Sequence, residues 1–193
     1  MIKVGIQGDH GSFSETAALE YIKRHNITDY AIIYLINSDP VLEALSNDKI
    51  DYGIIAIKNS IGGTVKESTE ALKKYKVNLI EEFSIPIHQN LMCLPETHAN
   101  QITEIHSHPQ ALKQSSIFLN TQFNKIKCIA AKDTALAARQ LQAGDLPPTA
   151  AIIGNVNAAK EYNLSILFRS IENDKSNRTT FQCLQHKTCS NFK

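Results

Sequence analysis

Tryptophan is missing from this chain of 193 residues, and so is any apolar run near the roughly 20 residues needed to cross a bilayer. The four cysteines, Cys93, Cys128, Cys183 and Cys189, form no Cys-x-x-Cys pair, which leaves no redox or zinc signature and fits reduced thiols in a cytoplasmic protein. Charge of either sign is scarce in excess: the formal net charge is +1, with no long run of one sign, so nucleic acid and membrane are excluded as general partners. Glycine and proline are ordinary in number, which argues against low-complexity disorder. There is no Gly-x-Ser-x-Gly elbow, no P-loop and no Gly-x-Gly-x-x-Gly, so acyl transfer, NTP hydrolysis and dinucleotide binding lack their usual loops. Met1 to Ile6 has neither the basic start nor the long apolar centre of a signal peptide and reads as a first strand.

What is present is an alternation of short apolar strands with amphipathic helices. Residues 2–7, 31–36, 52–57, 87–94, 127–130, 150–153 and 179–184 read as strands. Residues 14–25, 40–48, 65–75, 109–120, 134–143 and 156–162 read as helices. This order predicts an α/β fold with a largely parallel sheet. Ser12-Phe13-Ser14-Glu15 has the form of a capping box, and Asp39 before Pro40, Asp133 and Asn155 are expected N-caps. Gly144 and Asn163 suit left-handed C-terminal positions. Strands that feed directly into helix N-termini gather backbone N–H groups at one sheet edge, the expected place for a small anionic ligand. The stretch 79–86 reads as a crossing between two lobes, with a second crossing near 168–171. Lobe 1 is then residues 1–80 with 172–193, and lobe 2 residues 81–171.

The candidate chemistry is concentrated in a few segments. Gly5-Ile6-Gln7-Gly8-Asp9-His10-Gly11 has a glycine spacing that suits a loop lining an anion site. Asn59-Ser60-Ile61-Gly62-Gly63-Thr64 offers close backbone approach and three hydrogen-bonding side chains, although a tight strand-to-helix turn explains the same residues. Ser107-His108-Pro109-Gln110 places a hydroxyl, an imidazole and a carboxamide at the first turn of a helix, where free N–H groups attract anions. His106 and His108 share one face of an extended segment and fit a metal poorly; His108 reads either as a pocket residue or as a histidine that is merely hydrogen-bonded. Ser, Thr, Asn and Gln outnumber acids among these residues, which suits holding carboxylates and hydroxyls better than strong acid–base work.

Taken in order, the segments resemble prephenate dehydratase. They are residues 8–18 (Gly-Asp-His-Gly-Ser-Phe-Ser-Glu-Thr-Ala-Ala), Asn59 to Val65, Ser107 to Leu112, Asp133-Thr134-Ala135 with Ala137-Ala138, Ala150-Ala151-Ile152 with Ala158-Ala159 and Tyr162-Asn163-Leu164, and Ile171-Glu172-Asn173-Asp174 with Asn177 and Thr179-Thr180-Phe181. The resemblance covers nearly the whole chain. It implies two α/β lobes like those of type II periplasmic binding proteins, with the active site in the interlobe cleft. It implies conversion of prephenate to phenylpyruvate, with loss of carbon dioxide and water, in phenylalanine biosynthesis. It implies a cytoplasmic homodimer or larger homo-oligomer that uses no metal and no organic cofactor and takes a small dicarboxylate substrate. By this resemblance Thr179 assists departure of the ring hydroxyl, while Ser12, Asn59, Ser60, Ser107, His108, Gln110 and Thr134 bind substrate; Arg178 is added to the expected binding residues on strand geometry.

Three departures from the family pattern stand out. Ala56-Ile57-Lys58 replaces Pro-x-Glu, so a base occupies the place of an acid. Thr179-Thr180-Phe181 replaces Thr-Arg-Phe. The chain ends about a dozen residues after Phe181, too soon for the family's ACT regulatory domain, so allosteric control by phenylalanine is not expected. The missing cation has two substitutes. Arg178 shares a strand face with residue 180, about 6.6 Å away. Lys58 offers a point charge without the forked geometry of arginine. The alternatives to dehydration are a non-catalytic carboxylate binder and a prephenate decarboxylase that does not aromatise the ring.

Overall fold

A computed structural model describes residues 1–186, in which two α/β units are built from strands β1 (Ile2–Ile6), β2 (Tyr30–Tyr34), β3 (Tyr52–Asn59), β4 (Gly63–Thr64), β5 (Val77–Pro86), β6 (Asn90–Cys93), β7 (Glu104–Ser107), β8 (Lys127–Ala130), β9 (Ala150–Gly154), β10 (Ser165–Phe168) and β11 (Arg178–His186). The helices are α1 (Phe13–Arg24), α2 (Ser38–Ser46), α3 (Lys66–Leu72), α4 (Pro109–Gln114), α5 (Ser116–Gln122), α6 (Thr134–Ala143) and α7 (Val156–Glu161). Cys189 and the tail 187–193 lie outside the described residues.

Unit 1 comprises Met1–Asp9, Ser14–Ile85 and the chain from Arg178. Its sheet runs β2-β1-β3-β11-β5, with β4 beside β3. Strands β2, β1 and β3 are parallel, and β11 is antiparallel to β3. One face is covered by α2 and α3, where Val41, Leu42, Leu45, Ile55 and Leu184 form a core. Tyr21, Phe83 and Phe181 cluster elsewhere in the unit, with ring centroids 5.9 and 6.2 Å apart. Cys183 lies beside Tyr21, where burial pushes its thiol up to about 11.

Unit 2 comprises His10–Phe13 and Pro86–Asn177. Its sheet runs β10-β6-β9-β7-β8; β8, β7 and β9 are parallel, β6 is antiparallel to β9, and β10 is antiparallel to β6. Consecutive residues serve opposite cores. Leu91 and Ile153 pack with Ile105 and Leu119, and their neighbours Met92 and Ile152 pack with Ala138 and Leu141. This period of two explains why β6 and β9 read as unbroken apolar runs: both faces are covered.

The α/β class is as expected, with differences of detail. Each sheet is mixed rather than largely parallel, because β11, β6 and β10 enter antiparallel to their neighbours. The compact units change at 85/86 and 177/178, a few residues beyond the approximate 80/81 and 171/172 read from the sequence, and residues 10–13 go with unit 2. The first boundary moves because residues 77–86 form one continuous strand, and the second because Glu172, Asn173 and Asn177 are bonded into unit 2. Pro109–Asn120 is not one helix: the buried Ser115 (φ −110°) breaks it into α4 and α5. Asp39 is not a cap. Helix α2 begins at Ser38, whose N–H is taken at 2.7 Å by the Glu67 carboxylate of α3, while Asp39 pairs with Lys74 at 2.6 Å. Asp133 and Asn155 do cap, accepting from Leu136 N (2.7 Å) and Asn157 N (3.4 Å). Gly144 (φ 82°) and Asn163 (φ 51°) are left-handed as expected.

Candidate active site

Five expected site residues meet at one edge of the unit 2 sheet. Because β8, β7 and β9 are parallel, their C-terminal ends lie together, and α6, α4 and α7 follow from them. Ser107 ends β7, and His108 caps α4 by accepting the Gln110 N–H at its Nδ1 (3.1 Å). An accepting Nδ1 fixes the neutral tautomer with hydrogen on Nε2, so the exposed His108 presents a donor outward. His108 is therefore the hydrogen-bonded cap of α4. Thr134 opens α6, and its side chain lies against Gly154, 3.4 Å from where a Cβ would stand.

Ser12 reaches the same edge through a docked loop. Gly11 takes φ +79° and approaches α7 so closely that a Cβ there would sit 2.6 Å from the Cα of Ala158. Asn155 Nδ2 donates to the Ser12 carbonyl (3.2 Å), and the Tyr162 hydroxyl donates to the His10 carbonyl (3.2 Å). The small Ala158 and the polar Asn155 and Tyr162 thus position the first loop.

Ser107 is the most enclosed of the five. It is fully buried, and its hydroxyl donates at 2.7 Å to the Ile153 carbonyl of β9. A hydroxyl that donates across the sheet ties strand to strand. His106 is likewise buried and held by Glu104, Nε2 to Oε1 at 2.7 Å, so it shares no site with His108.

The remaining expected residues form a second set in unit 1, at the end of the β3–β11 ladder. Asn59 faces Thr179 across the strands. Its Nδ2 donates to the Thr179 Oγ1 at 2.9 Å and to the Arg178 carbonyl at 3.1 Å. Its Oδ1 accepts the Ile61 and Gly62 N–H groups at 3.1 and 2.7 Å, which folds the turn beyond β3. Ser60 closes the ladder, its N–H donating to the Arg178 carbonyl (2.9 Å) and its Oγ accepting the Arg178 N–H (3.0 Å). Arg178 sends its guanidinium to the Ser84 carbonyl of β5 (2.6 Å), and Thr180 meets the Ser84 hydroxyl at 2.9 Å. Residues 178 and 180 therefore address the same spot, as strand alternation requires. That spot lies across the sheet from the Thr179 side chain.

One organising residue escaped sequence reasoning. Glu172, with a side chain wholly removed from solvent, accepts from the Gln89 N–H (2.8 Å) and pairs with His88 Nδ1 (3.0 Å) and Lys175 (3.6 Å). It ties residues 86–89 to 171–177, assisted by Ile171 N to Gln89 O (2.8 Å) and Ile87 N to Asn177 O (2.9 Å). Its place in the segment Ile171 to Asp174 is the signal that the sequence carries. Two surface hollows in unit 2, of about 320 and 510 Å³, are lined by none of the expected site residues.

These units have a mixed α/β two-sheet fold that recurs among solved structures. A nutrient binding protein from Burkholderia cenocepacia bound to methionine superposes with a TM-score of 0.52 at 16% identity, covering 99% of this chain and 87% of its own. A prephenate dehydratase from Arthrobacter aurescens in complex with L-Phe superposes with a TM-score of 0.88 at 22% identity, covering 100% of this chain and 63% of its own. The prephenate dehydratase family model matches residues 4–189, and the chain belongs to that family. Arogenate dehydratase 5, chloroplastic, of Arabidopsis thaliana is 32% identical over 95% of this chain and 42% of its own length. Prephenate dehydratase of Lactococcus lactis subsp. cremoris is 31% identical over 95% of this chain and 63% of its own. The chain therefore spans between about two fifths and two thirds of the length of these relatives.

Proposed function

We propose that this chain is a prephenate dehydratase, and that Thr179 assists the departing hydroxyl. The carrying observation is the direction of one hydrogen bond. Asn59 donates to the Thr179 oxygen, so that oxygen is the acceptor and its own O–H proton is left to be donated elsewhere.

The chemistry suits such a site. The ring carboxylate leaves as carbon dioxide, its bonding electron pair enters the ring, and the hydroxyl at the opposite ring carbon departs with a proton as water. One proton is consumed overall, and the ring becomes aromatic. Aromatisation supplies the driving force, so the protein has to hold two carboxylates and stabilise the leaving oxygen as charge develops on it. A positioned hydroxyl does this without a strongly shifted acid. Gln110, Thr134 and the Nε2–H of His108 are assigned to carboxylates, with Ser12 and Ser60 as further donors. Ser107 becomes a positioning residue that holds β7 to β9, and Arg178 one that holds β11 to β5. We read the assembly as a cytoplasmic homodimer acting on a small dicarboxylate, on the strength of the family resemblance.

Incubation with prephenate tests the reading. Phenylpyruvate is the expected product. A non-aromatic keto acid means a decarboxylase, and binding without turnover means a carboxylate binder; either result overturns the proposal. Thr179→Ala is expected to lower kcat by about 10²-fold or more. An unchanged rate removes Thr179 from the mechanism. Light scattering on a sizing column reads the oligomeric state.

A further inference from the structure

The two positions at which this chain departs from the Pro-x-Glu and Thr-Arg-Phe patterns lie directly opposite each other. Lys58 of β3 is the register partner of Thr180 of β11. The register then slips: Phe181 pairs with Ala56, which leaves Ile57 as one extra residue on β3. One step the other way, Asn59 pairs with Thr179. A bulge of this kind re-aims the side chains beside it, and here it immediately precedes the Asn59–Thr179 hydrogen bond.

The faces of the ladder divide the work. Register partners share a face and successive residues alternate, so Lys58 and Thr180 project opposite to Asn59 and Thr179. Thr180 continues the row to Ser84 of β5, and Lys58 continues it to Thr64 of β4. A side chain at 180 therefore meets residue 58 and Ser84, not the Thr179 hydroxyl. Among the described residues the exposed Lys58 ammonium has no carboxylate partner, and the Arg178 guanidinium, two residues from Thr180, is bonded only to the Ser84 carbonyl. An arginine placed at 180 in this chain would add a third cation to the row. An acid at 58 would accept it.

We propose that positions 58 and 180 form one matched cross-strand pair of positioning residues. They set the bulge in β3 and through it hold Asn59 against Thr179. Replacement of the acid by Lys58 and of the arginine by Thr180 is then a single coupled exchange, which leaves the Thr179 face of the ladder intact. For the catalytic consequence the inference rests on the role assigned to Thr179; the pairing itself does not.

A double-mutant cycle with Thr180→Arg, Lys58→Glu and the combined variant tests both parts. Thr180→Arg alone is expected to lower the thermal midpoint by about 1–4 °C through like charges facing each other across the strands. It should speed amide exchange at Ser60 and Arg178, the N–H groups that close the ladder, and lower kcat on prephenate several-fold with less change in KM. Adding Lys58→Glu should return all of these to or beyond the wild-type values. Midpoints that simply add overturn the pairing. Coupled midpoints with unchanged exchange at Ser60 and Arg178 overturn the positioning role, as does a Thr180→Arg variant with undiminished kcat. A wild-type protein inert toward prephenate sinks the dehydratase reading alone, because midpoints and exchange still decide the pair.

Discussion

Asn59 and Thr179 are joined by a hydrogen bond of 2.9 Å in which the amide donates and the hydroxyl accepts. The polarity of that bond is testable without disturbing the turn that Asn59 also builds. In Asn59→Asp the retained Oδ1 still accepts from the Ile61 and Gly62 N–H groups. The second carboxylate oxygen can only accept, and it captures the Thr179 proton. Turnover of prephenate is expected to fall by about 10²-fold, the lower end of what a lost proton donor costs. The urea unfolding midpoint should move much less than in Asn59→Ala, which loses the turn as well. Equal damage to kcat and to stability in Asn59→Asp refutes this division.

Gly11 is fixed by its neighbour and by its own backbone. A methyl group there would lie 2.6 Å from the Ala158 Cα, and the residue sits at φ +79°. Gly11→Ala therefore combines strain with overpacking and is expected to destabilise by about 2–4 kcal/mol. Ala158→Gly should not rescue it, because the clash is with backbone. Urea denaturation of the single and double variants measures both.

The distribution of these features says what a sequence makes legible. The Asp133, Asn155, Gly144 and Asn163 helix ends depend on residues adjacent in sequence, and all four could be read directly. Strands β6 and β9 announced themselves as apolar runs because both faces are buried. Strand β7 did not, because Glu-Ile-His-Ser carries a local Glu104–His106 pair and a hydroxyl directed to another strand. Strand β5 reads as a crossing because Leu79-Ile80-Glu81-Glu82 breaks the apolar alternation, in keeping with the exposure of Leu79 and Ile80 in the structure. The α2 start was misplaced because its cap, Glu67, lies 29 residues away. The chemical character of the site residues was visible, whereas the burial of Ser107 and the opposition of Lys58 to Thr180 are products of strand register.

Ile36 carries a strained backbone. It is β-branched yet takes φ +66°, in a turn closed by the Asn37 N–H on the Leu35 carbonyl at 2.7 Å. A left-handed conformation costs an ordinary L-residue roughly 1–2 kcal/mol, and asparagine tolerates it best among residues with a side chain. The Ile36 side chain is 41% exposed, so little burial is lost on replacement. Ile36→Asn is expected to raise stability by about 1 kcal/mol, read as a higher urea midpoint at unchanged slope. A lower midpoint shows that the exposed isoleucine makes packing contributions larger than its strain.

Glu172 links the connecting segments of unit 2 to pH. Burial alone would push its carboxyl up; the His88 hydrogen bond, those from its own backbone and from Gln89, and the charge of Lys175 outweigh that and hold it below the ordinary 4.5. A carboxyl that is more acidic folded than unfolded binds fewer protons in the native state at acid pH. Its stabilising contribution is therefore complete above 4.5, declines as pH falls through that value, and is gone below the depressed native value. Glu81, lowered chiefly by its hydrogen bond from Arg24, acts in the same direction in unit 1. In Glu172→Gln the amide keeps an acceptor for the Gln89 N–H but loses the charge that His88 and Lys175 face. The variant is expected to be less stable than wild type by about 1–3 kcal/mol at pH 7, the scale of hydrogen bonds to a charged group. The gap should narrow steadily once the pH drops below about 4.5, because the wild-type carboxyl is then neutralised as well. Urea titrations of both proteins at pH 7, 5, 4 and 3 measure the gap directly. A gap that stays constant across that range means the Glu172 charge contributes nothing and that the side chain acts by shape alone.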